Sequence, residues 1–185
     1  MRVRVLGCYG SASFEKKGPL WRHYSSSCLQ VNETVLIDSG TIHGPLNINE
    51  MENIRAIFIT HAHLDHICGL PFMAETLYGR IKRPVVIAST EEILASLKRH
   101  IFNDIIWPDF TAIPNKSDPV LRYQTIKAGV PVSVEGLKIT AIQGNHTVPT
   151  VGYLVKDSQS AFIYSGDTYK TVSYTHLTLP TTPYV

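Results

Sequence analysis

An apolar run over residues 54–59 leads directly into a segment, residues 60–66, that reads Thr-His-Ala-His-Leu-Asp-His. The run predicts a buried strand, and a tight loop at a strand end can turn several side chains toward one point. Imidazole and carboxylate are ligands that divalent cations such as zinc prefer. Steric crowding prevents three imidazoles and one carboxylate within six residues from all reaching the same ion. The segment therefore predicts two ions, with His61 and His63 on the first and Asp65 and His66 on the second.

A structural interpretation of the same segment is a polar loop that caps the next helix. Asp65 is suited to cap a helix that begins near Ile67. Histidines packed this densely, however, would repel one another without a bound metal. The metal site is the favoured interpretation.

The composition sets broad limits on the class of protein. A chain of 185 residues with 44% hydrophobic and 17% charged residues suits one globular domain with an ordinary core. A formal charge of +2 without a basic block gives no reason to expect nucleic-acid binding. No apolar run reaches the roughly 18 residues of a membrane helix, and no signal peptide is visible. Three scattered cysteines, Cys8, Cys28 and Cys68, indicate a reducing, cytoplasmic location.

Three further candidate residues follow predicted strands. Asp38 is suited to hydrogen-bond the metal loop, although a plain turn is an equal alternative. His146 can supply a third ligand to the first ion, and Asp167 can bridge the two ions. The strands that precede them span residues 34–37, 137–142 and 161–164, respectively.

The remaining pattern predicts an α/β fold. Hairpins are predicted for residues 26–31 with 34–37, 132–134 with 137–142, and 152–155 with 161–164. A helix is predicted for residues 67–78 and a strand for residues 85–88. Ser89 with Glu92 has the spacing of a capping box, which would open a helix. The apolar face of that helix is predicted to consist of Ile93, Leu94, Leu97, Ile101 and Ile105.

The order His-x-His-x-Asp-His, a lone His and then Gly-Asp-Thr resembles the metallo-β-lactamase superfamily. The resemblance covers residues 1–171 and implies an αββα sandwich of two mixed sheets, with a binuclear site at one edge. It implies that His61, His63 and His146 hold one ion, that Asp65 and His66 hold the other, and that Asp167 bridges both. Asp65, His66 and Asp167 are the residues expected to take part in catalysis.

Two segments, residues 61–70 and 100–108, resemble class II 3′,5′-cyclic-nucleotide phosphodiesterases. This implies hydrolysis of cyclic AMP or cyclic GMP to 5′-monophosphates by a metal-bound hydroxide. The expected cofactors are two divalent ions, zinc first, with manganese, iron or magnesium as alternatives. The expected partner is a small cyclic nucleotide, without membrane or nucleic acid, and the resemblance allows a homodimer. Phe102 or Trp107 could stack on a base, although core packing is favoured for both.

Other functions fit the same ligands. Ribonuclease Z-like enzymes also carry a Gly-Leu-Pro sequence after the metal loop, and lactonase-like or thioesterase-like hydrolases share the ligand set. A metal-binding fragment without catalytic activity is an alternative of a different class.

The last residues, 172–185, have no core pattern and resemble a translated sequencing adapter. We therefore expect a domain over residues 1–171 that is incomplete on its C-terminal side, followed by a foreign tail. The superfamily pattern includes a late histidine on the second ion, and His176 is the only histidine after Asp167. We do not expect His176 to be that ligand.

Overall fold

The structure is a computed structural model that describes residues 1–17 and 20–169, apart from the side chains of Phe14 and residues 16–22. The predicted foreign tail, residues 172–185, and His176 lie outside the described residues. Among the described helices, none has the length and apolar character needed to cross a bilayer.

The described residues form short strands and four helices. The strands are β1 (Val3–Gly7), β2 (Ser13–Lys17), β3 (Leu20–Tyr24), β4 (Cys28–Val31), β5 (Val35–Ile37), β6 (Ala56–Phe58), β7 (Val85–Ser89), β8 (Leu121–Thr125), β9 (Pro131–Val134), β10 (Leu137–Gln143), β11 (Val151–Lys156) and β12 (Ala161–Tyr164). The helices are α1 (Ile48–Glu52), α2 (Leu64–Ile67), α3 (Gly69–Leu77) and α4 (Glu91–His100).

Two sheets and a separate hairpin organise these strands. The larger sheet has the order β1-β4-β5-β6-β7-β8, and the smaller has the order β12-β11-β10-β9. Pairs β1/β4 and β4/β5 are antiparallel, whereas β5, β6, β7 and β8 run parallel to one another. The smaller sheet is antiparallel throughout, and among the described strands β2 pairs with β3 alone. This mixed architecture confirms the predicted α/β class.

The core includes residues from both sheets. The rings of Phe58 on β6 and Tyr153 on β11 meet edge to face, with centroids 5.5 Å apart. Both side chains are almost completely buried, together with aliphatic residues of both sheets. Burial of this apolar surface is the main favourable term that holds the sheets together.

The predicted hairpins are all present, because each is specified locally. Asn32, between β4 and β5, has a positive φ of 52°. Between β9 and β10, Glu135 and Gly136 have φ values of 47° and 76°. Consecutive positive φ angles in a two-residue loop match the twist of antiparallel strands.

Two helix predictions are wrong in detail. The helix predicted for residues 67–78 is divided into α2 and α3 at Cys68. The helix after β7 ends at His100, so Ile105 lies beyond its predicted apolar face and is 86% exposed. Ile101, at its C-cap, still packs partly buried against the core.

The predicted capping box at Ser89 is also wrong. Ser89 is the last residue of β7, and its hydroxyl donates to the carbonyl oxygen of Ile59 at 2.6 Å. The N-cap of α4 is Thr90, which makes no side-chain cap bond. A capping box does occur at α1, where Asn47 and Glu50 exchange side-chain to backbone bonds of 3.0 and 2.8 Å. Spacing alone cannot distinguish the two sites. Ser89 belongs to a strand, so it is not available as the N-cap of the following helix.

Candidate metal centre

The metal loop follows the end of β6, and hydrogen bonds from both sheets fix the backbone at its start. The carbonyl oxygen of Ile59 accepts from the hydroxyl of Ser89 at 2.6 Å and from that of Tyr153 at 2.7 Å. The next carbonyl, of Thr60, accepts from the backbone N–H of Val151 at 2.9 Å. The backbone that leads into the histidines is therefore fixed from the larger sheet through Ser89 and from the smaller through Tyr153 and Val151.

Three histidines converge in a first cluster. Nδ1 of His63 lies 3.1 Å from Nε2 of His61 and 3.3 Å from Nε2 of His146. His61 and His63 come from the loop after β6, whereas His146 comes from the loop after β10. The predicted ligands of the first ion are thus brought together from both sheets.

The second cluster contains His61, which it shares with the first cluster, together with His66 and Asp167, and the carboxylate of Asp65 borders it. Nε2 of His66 lies 3.6 Å from an oxygen of Asp65 and 3.5 Å from an oxygen of Asp167. The candidate ligand atoms of His61, His66 and Asp167 all lie within 4.8 Å of one another. Asp167 is 51% exposed, so its carboxylate lies on the open side of the cluster. All six residues predicted from the sequence lie in or beside these two adjoining clusters.

Asp38 lies behind the clusters and orients two of their histidines. Its buried carboxylate accepts from Nδ1 of His66 at 2.7 Å and from the backbone N–H of Thr60 at 2.8 Å. The Thr60 hydroxyl lies 2.9 Å from both oxygens of Asp38 and 3.0 Å from Nδ1 of His61. Because Nδ1 of each histidine is engaged in this way, each Nε2 is directed away from Asp38. The interpretation of Asp38 as a hydrogen-bond partner of the metal loop agrees with this geometry.

Burial and mutual repulsion control the charge of these histidines. Burial, with the neighbouring His66, His63 and His146, lowers the pKa of His61 to about 3. His61 is therefore neutral near pH 7, which is the form that binds a cation. Burial also lowers the pKa of His66, but the hydrogen bond and the charge of Asp38 outweigh it and raise that pKa above 6.5.

The donor set fits a divalent cation. Nε2 of His66 is buried and has no hydrogen-bond partner among the described residues. An unpaired buried nitrogen is costly unless a proton partner or a metal satisfies it. The three nitrogens of the first cluster converge on one another, an arrangement that a shared cation would satisfy. Neutral imidazoles and carboxylates at this density suit zinc and related ions.

Close backbone packing holds the loops of Asp38 and His66 in place. A Cβ atom on Gly40 would lie 2.2 Å from the carbonyl oxygen of Asp65, and one on Gly69 would lie 2.5 Å from the carbonyl oxygen of Gly40. The backbone N–H of Ser39 donates to the carbonyl oxygen of His66, and the backbone N–H of Gly69 donates to the carbonyl oxygen of Ser39, both at 2.8 Å. Only glycine allows this approach.

Sequence reasoning did not identify four residues that shape the site. Thr60 connects Asp38 with His61, and Thr168 accepts from the backbone N–H of Asn145 at 2.9 Å. Burial raises the pKa of Tyr164, and the nearby Asp38 carboxylate raises it further. Three of these residues could have been found from their positions in the sequence. Thr60 is adjacent to the histidine motif, and Thr168 is adjacent to Asp167. Asn145 has the same signal, because it precedes His146, whereas nothing local in the sequence indicates the position of Tyr164.

Other candidates lie outside the clusters. Phe102 is buried, as core packing requires, and Trp107 packs against Phe72 with ring centroids 5.3 Å apart. Sγ of Cys68 lies 3.7 Å from Oγ of Ser26, and Cys68 belongs to neither candidate metal cluster of the described residues. A cavity of about 580 Å³ lies beside α1 and includes His43 in its lining, but it contains neither cluster.

Comparison with known proteins assigns the family. The model of the beta-lactamase superfamily domain matches residues 34–176. This chain belongs to that superfamily. Its fold resembles that of unliganded yeast PDE1, with a TM-score of 0.71 and 19% identity over 91% of this chain and 65% of that one. The αββα fold expected from the sequence resemblance is therefore confirmed.

Similar curated proteins include members of two functional groups. One is a 3′,5′-cyclic-nucleotide phosphodiesterase 1 from Saccharomyces cerevisiae, 39% identical over 62 residues, which are 33% of this chain and 17% of that protein. Another is a ribonuclease Z from Pseudomonas putida, 33% identical over 115 residues, which are 61% of this chain and 32% of that protein. The chain thus spans less than half the length of either relative.

Proposed function

We propose that this chain carries the metal centre of a hydrolase that acts on phosphodiesters, with 3′,5′-cyclic nucleotides as the substrate class. The observation that carries the proposal is the convergence of His61, His63 and His146 beside His66, Asp65 and Asp167. Support for the substrate class comes from the cyclic-nucleotide phosphodiesterase, which has the higher identity of the two relatives.

The residues divide into two sets of ligands. His61, His63 and His146 would hold one cation, Asp65 and His66 the other, and Asp167 would contact both. When bound, two divalent cations supply Lewis acidity toward a phosphoryl oxygen and lower the pKa of water. Asp38 would hold His66 through its Nδ1 atom and His61 through Thr60, so that both present Nε2 to the open cleft.

Hydrolysis of the ring breaks the bond between phosphorus and O3′. Phosphorus gains the oxygen of one water, and one proton from that water ends on O3′. Asp65 is the carboxylate that we assign to hold this proton, because its side chain is 25% exposed beside His66. The carboxylate of Asp167, on the open side of the second cluster, would help to orient the attacking water. The product is a nucleoside 5′-monophosphate.

A direct test follows the formation of 5′-AMP from 3′,5′-cyclic AMP, with and without a chelator, alongside the metal content of each chain. We expect chelator-sensitive turnover that His63→Ala reduces by at least 100-fold, since loss of a ligand removes the bound ion. His100→Ala is the matched control, because His100 is exposed at the end of α4. Turnover that persists in His63→Ala would contradict the proposal.

Ribonuclease activity is the second candidate. The ribonuclease Z from Pseudomonas putida matches 61% of this chain, against 33% for the cyclic-nucleotide phosphodiesterase. A single-stranded RNA assayed in parallel separates the two. Cleavage of RNA with no turnover of cyclic nucleotides would favour the nuclease, and stoichiometric metal without any turnover would favour a metal-binding role alone.

A further inference from the structure

An exposed tyrosine lies at the rim of the first cluster. Tyr169 is 62% exposed. Its ring centroid lies 5.9 Å from that of His146, with 42° between the ring planes. Tyr169 therefore presents an aromatic surface to the solvent within one ring contact of a candidate metal ligand.

The backbone at this tyrosine is fixed to the loop that carries His146. The backbone N–H of Tyr169 donates to the carbonyl oxygen of Asn145 at 2.7 Å. The hydroxyl of the preceding residue, Thr168, accepts from the backbone N–H of Asn145 at 2.9 Å. Asn145 and Thr168 are the direct neighbours of His146 and Asp167. The backbone of Tyr169 is consequently tied to the loop that carries His146, which places the ring beside that candidate ligand, as a binding platform requires.

A second exposed tyrosine near the centre is less suited to this role. The turn after β1 reaches the centre at Gly10, whose Cβ position would lie 3.8 Å from an oxygen of Asp65. Tyr9 precedes it, but its ring already packs against Tyr24, with centroids 4.5 Å apart and planes at 74°. Tyr169 is also the more exposed of the two.

We propose that Tyr169 is the residue on which the base of a bound nucleotide stacks while its phosphate lies at the metal clusters. The proposal rests on the proposed function for the presence of a nucleotide. Every nucleobase has an apolar π face, so an exposed aromatic ring binds bases with little sequence preference. Tyr169 then raises affinity for nucleotides without contacting the phosphate.

The test compares two ligands that differ by the base alone, AMP and ribose 5-phosphate. Their dissociation constants are measured by calorimetry on protein loaded with Zn²⁺ and freed of excess metal. We expect AMP to bind about tenfold more tightly than ribose 5-phosphate, the lower range of base–aromatic stacking. Tyr169→Ala should abolish that ratio and leave the constant for ribose 5-phosphate unchanged, whereas Tyr169→Phe should keep it.

Tyr78→Ala is the matched control, because Tyr78 is 50% exposed and packs against Phe110 instead of a ligand. The ratio should be unaffected in that variant. Equal weakening of both ligands in Tyr169→Ala, or a wild-type ratio near one, would overturn the proposal. A ratio that depends on Tyr169 in a protein without cyclic-nucleotide turnover would refute the proposed reaction and leave the stacking role standing.

Discussion

Nδ1 of His66 lies 2.7 Å from Oδ2 of Asp38, and both side chains are almost completely buried. This bond decides which nitrogen of His66 faces the open cleft. In Asp38→Asn the amide can no longer provide two carboxylate oxygens for Thr60 and His66 together. Partners of this kind typically change metal affinity by about 10–100-fold when they are lost.

We therefore expect Asp38→Asn to bind Zn²⁺ about 10–100-fold more weakly, as measured by competition with a chromophoric chelator. Asp118→Asn provides the control, since Asp118 is exposed and distant in sequence from the ligands. An unchanged affinity in a folded Asp38→Asn protein would show that His66 is oriented by other contacts.

The carbonyl oxygen of Ile59 accepts from two hydroxyls, those of Ser89 and Tyr153. Loss of one donor leaves the carbonyl with the other, so Ser89→Ala and Tyr153→Phe should each cost about 0.5–1.5 kcal/mol of unfolding free energy. The double variant leaves the buried oxygen without either donor. Its cost should exceed the sum of the single costs by about 1 kcal/mol.

Denaturant unfolding of the four proteins measures this coupling. Strict additivity would mean that the two hydroxyls act independently and that the carbonyl finds another partner in the double variant.

A methyl group at Gly69 has no space. Its Cβ would lie 2.4 Å from Ile42 and 2.5 and 2.8 Å from two backbone oxygens. Overpacking of this kind costs about 1–3 kcal/mol, and backbone atoms cannot yield as side chains do. We expect Gly69→Ala to lower the unfolding free energy by at least about 2 kcal/mol and to weaken metal binding, because the displaced strand end carries Asp38.

Gly79→Ala tests whether the loss comes from the close approach. Gly79 has a positive φ of 72° but no atom within 4 Å of its Cβ position, so only backbone strain of about 1 kcal/mol is expected. Metal affinity should be normal in that variant. Equal losses in the two variants would contradict the packing argument.

The pKa of His61 predicts acid sensitivity of the metal-free protein. The folded chain keeps His61 neutral down to a pKa of about 3, whereas the unfolded chain protonates it below about 6.5. Below pH 6.5 the unfolded state therefore binds one more proton than the folded state. The free energy of unfolding consequently decreases as the pH falls from 6.5 toward 3. Replacement by asparagine removes this dependence.

Chemical denaturation of the wild type and His61→Asn at pH 7 and pH 4 isolates the effect, because His66 titrates in both proteins. We expect the wild type to lose more unfolding free energy between these pH values than the variant. Parallel losses would indicate that His61 titrates normally.

Local patterns account for what the sequence predicts well. The turns at Asn32 and Gly136 and the apolar run before Thr60 depend on neighbouring residues, and the structure has the corresponding hairpins and strand. The ligand set could be assembled because His61, His63, Asp65 and His66 follow one predicted strand, and His146 and Asp167 each follow another. The rule that ligands follow strands needs no knowledge of sheet order.

The prediction errors occur where contacts between residues distant in the sequence determine the local structure. The carbonyl oxygen of Ile59 engages the hydroxyl of Ser89, so a residue with capping-box spacing ends a strand instead. No strand is predicted for β8, which pairs only with β7 in the described structure, because its mostly exposed residues give a weak pattern. Thr60 and Tyr164 acquire their roles only through proximity to Asp38.

The candidate centre draws His61, His63 and His66 from the loop after β6, and His146 and Asp167 from the ends of β10 and β12. These segments are far apart along the chain, so their encounter requires the closure of long loops, an entropic cost that is met before the contacts form. The complete centre therefore exists only once these loops have closed. An unfolded chain could offer a cation only the local histidines of residues 61–66. Full metal affinity therefore belongs to the completed fold, and bound cations would stabilise that fold by a free energy that rises with the logarithm of their concentration above the dissociation constant.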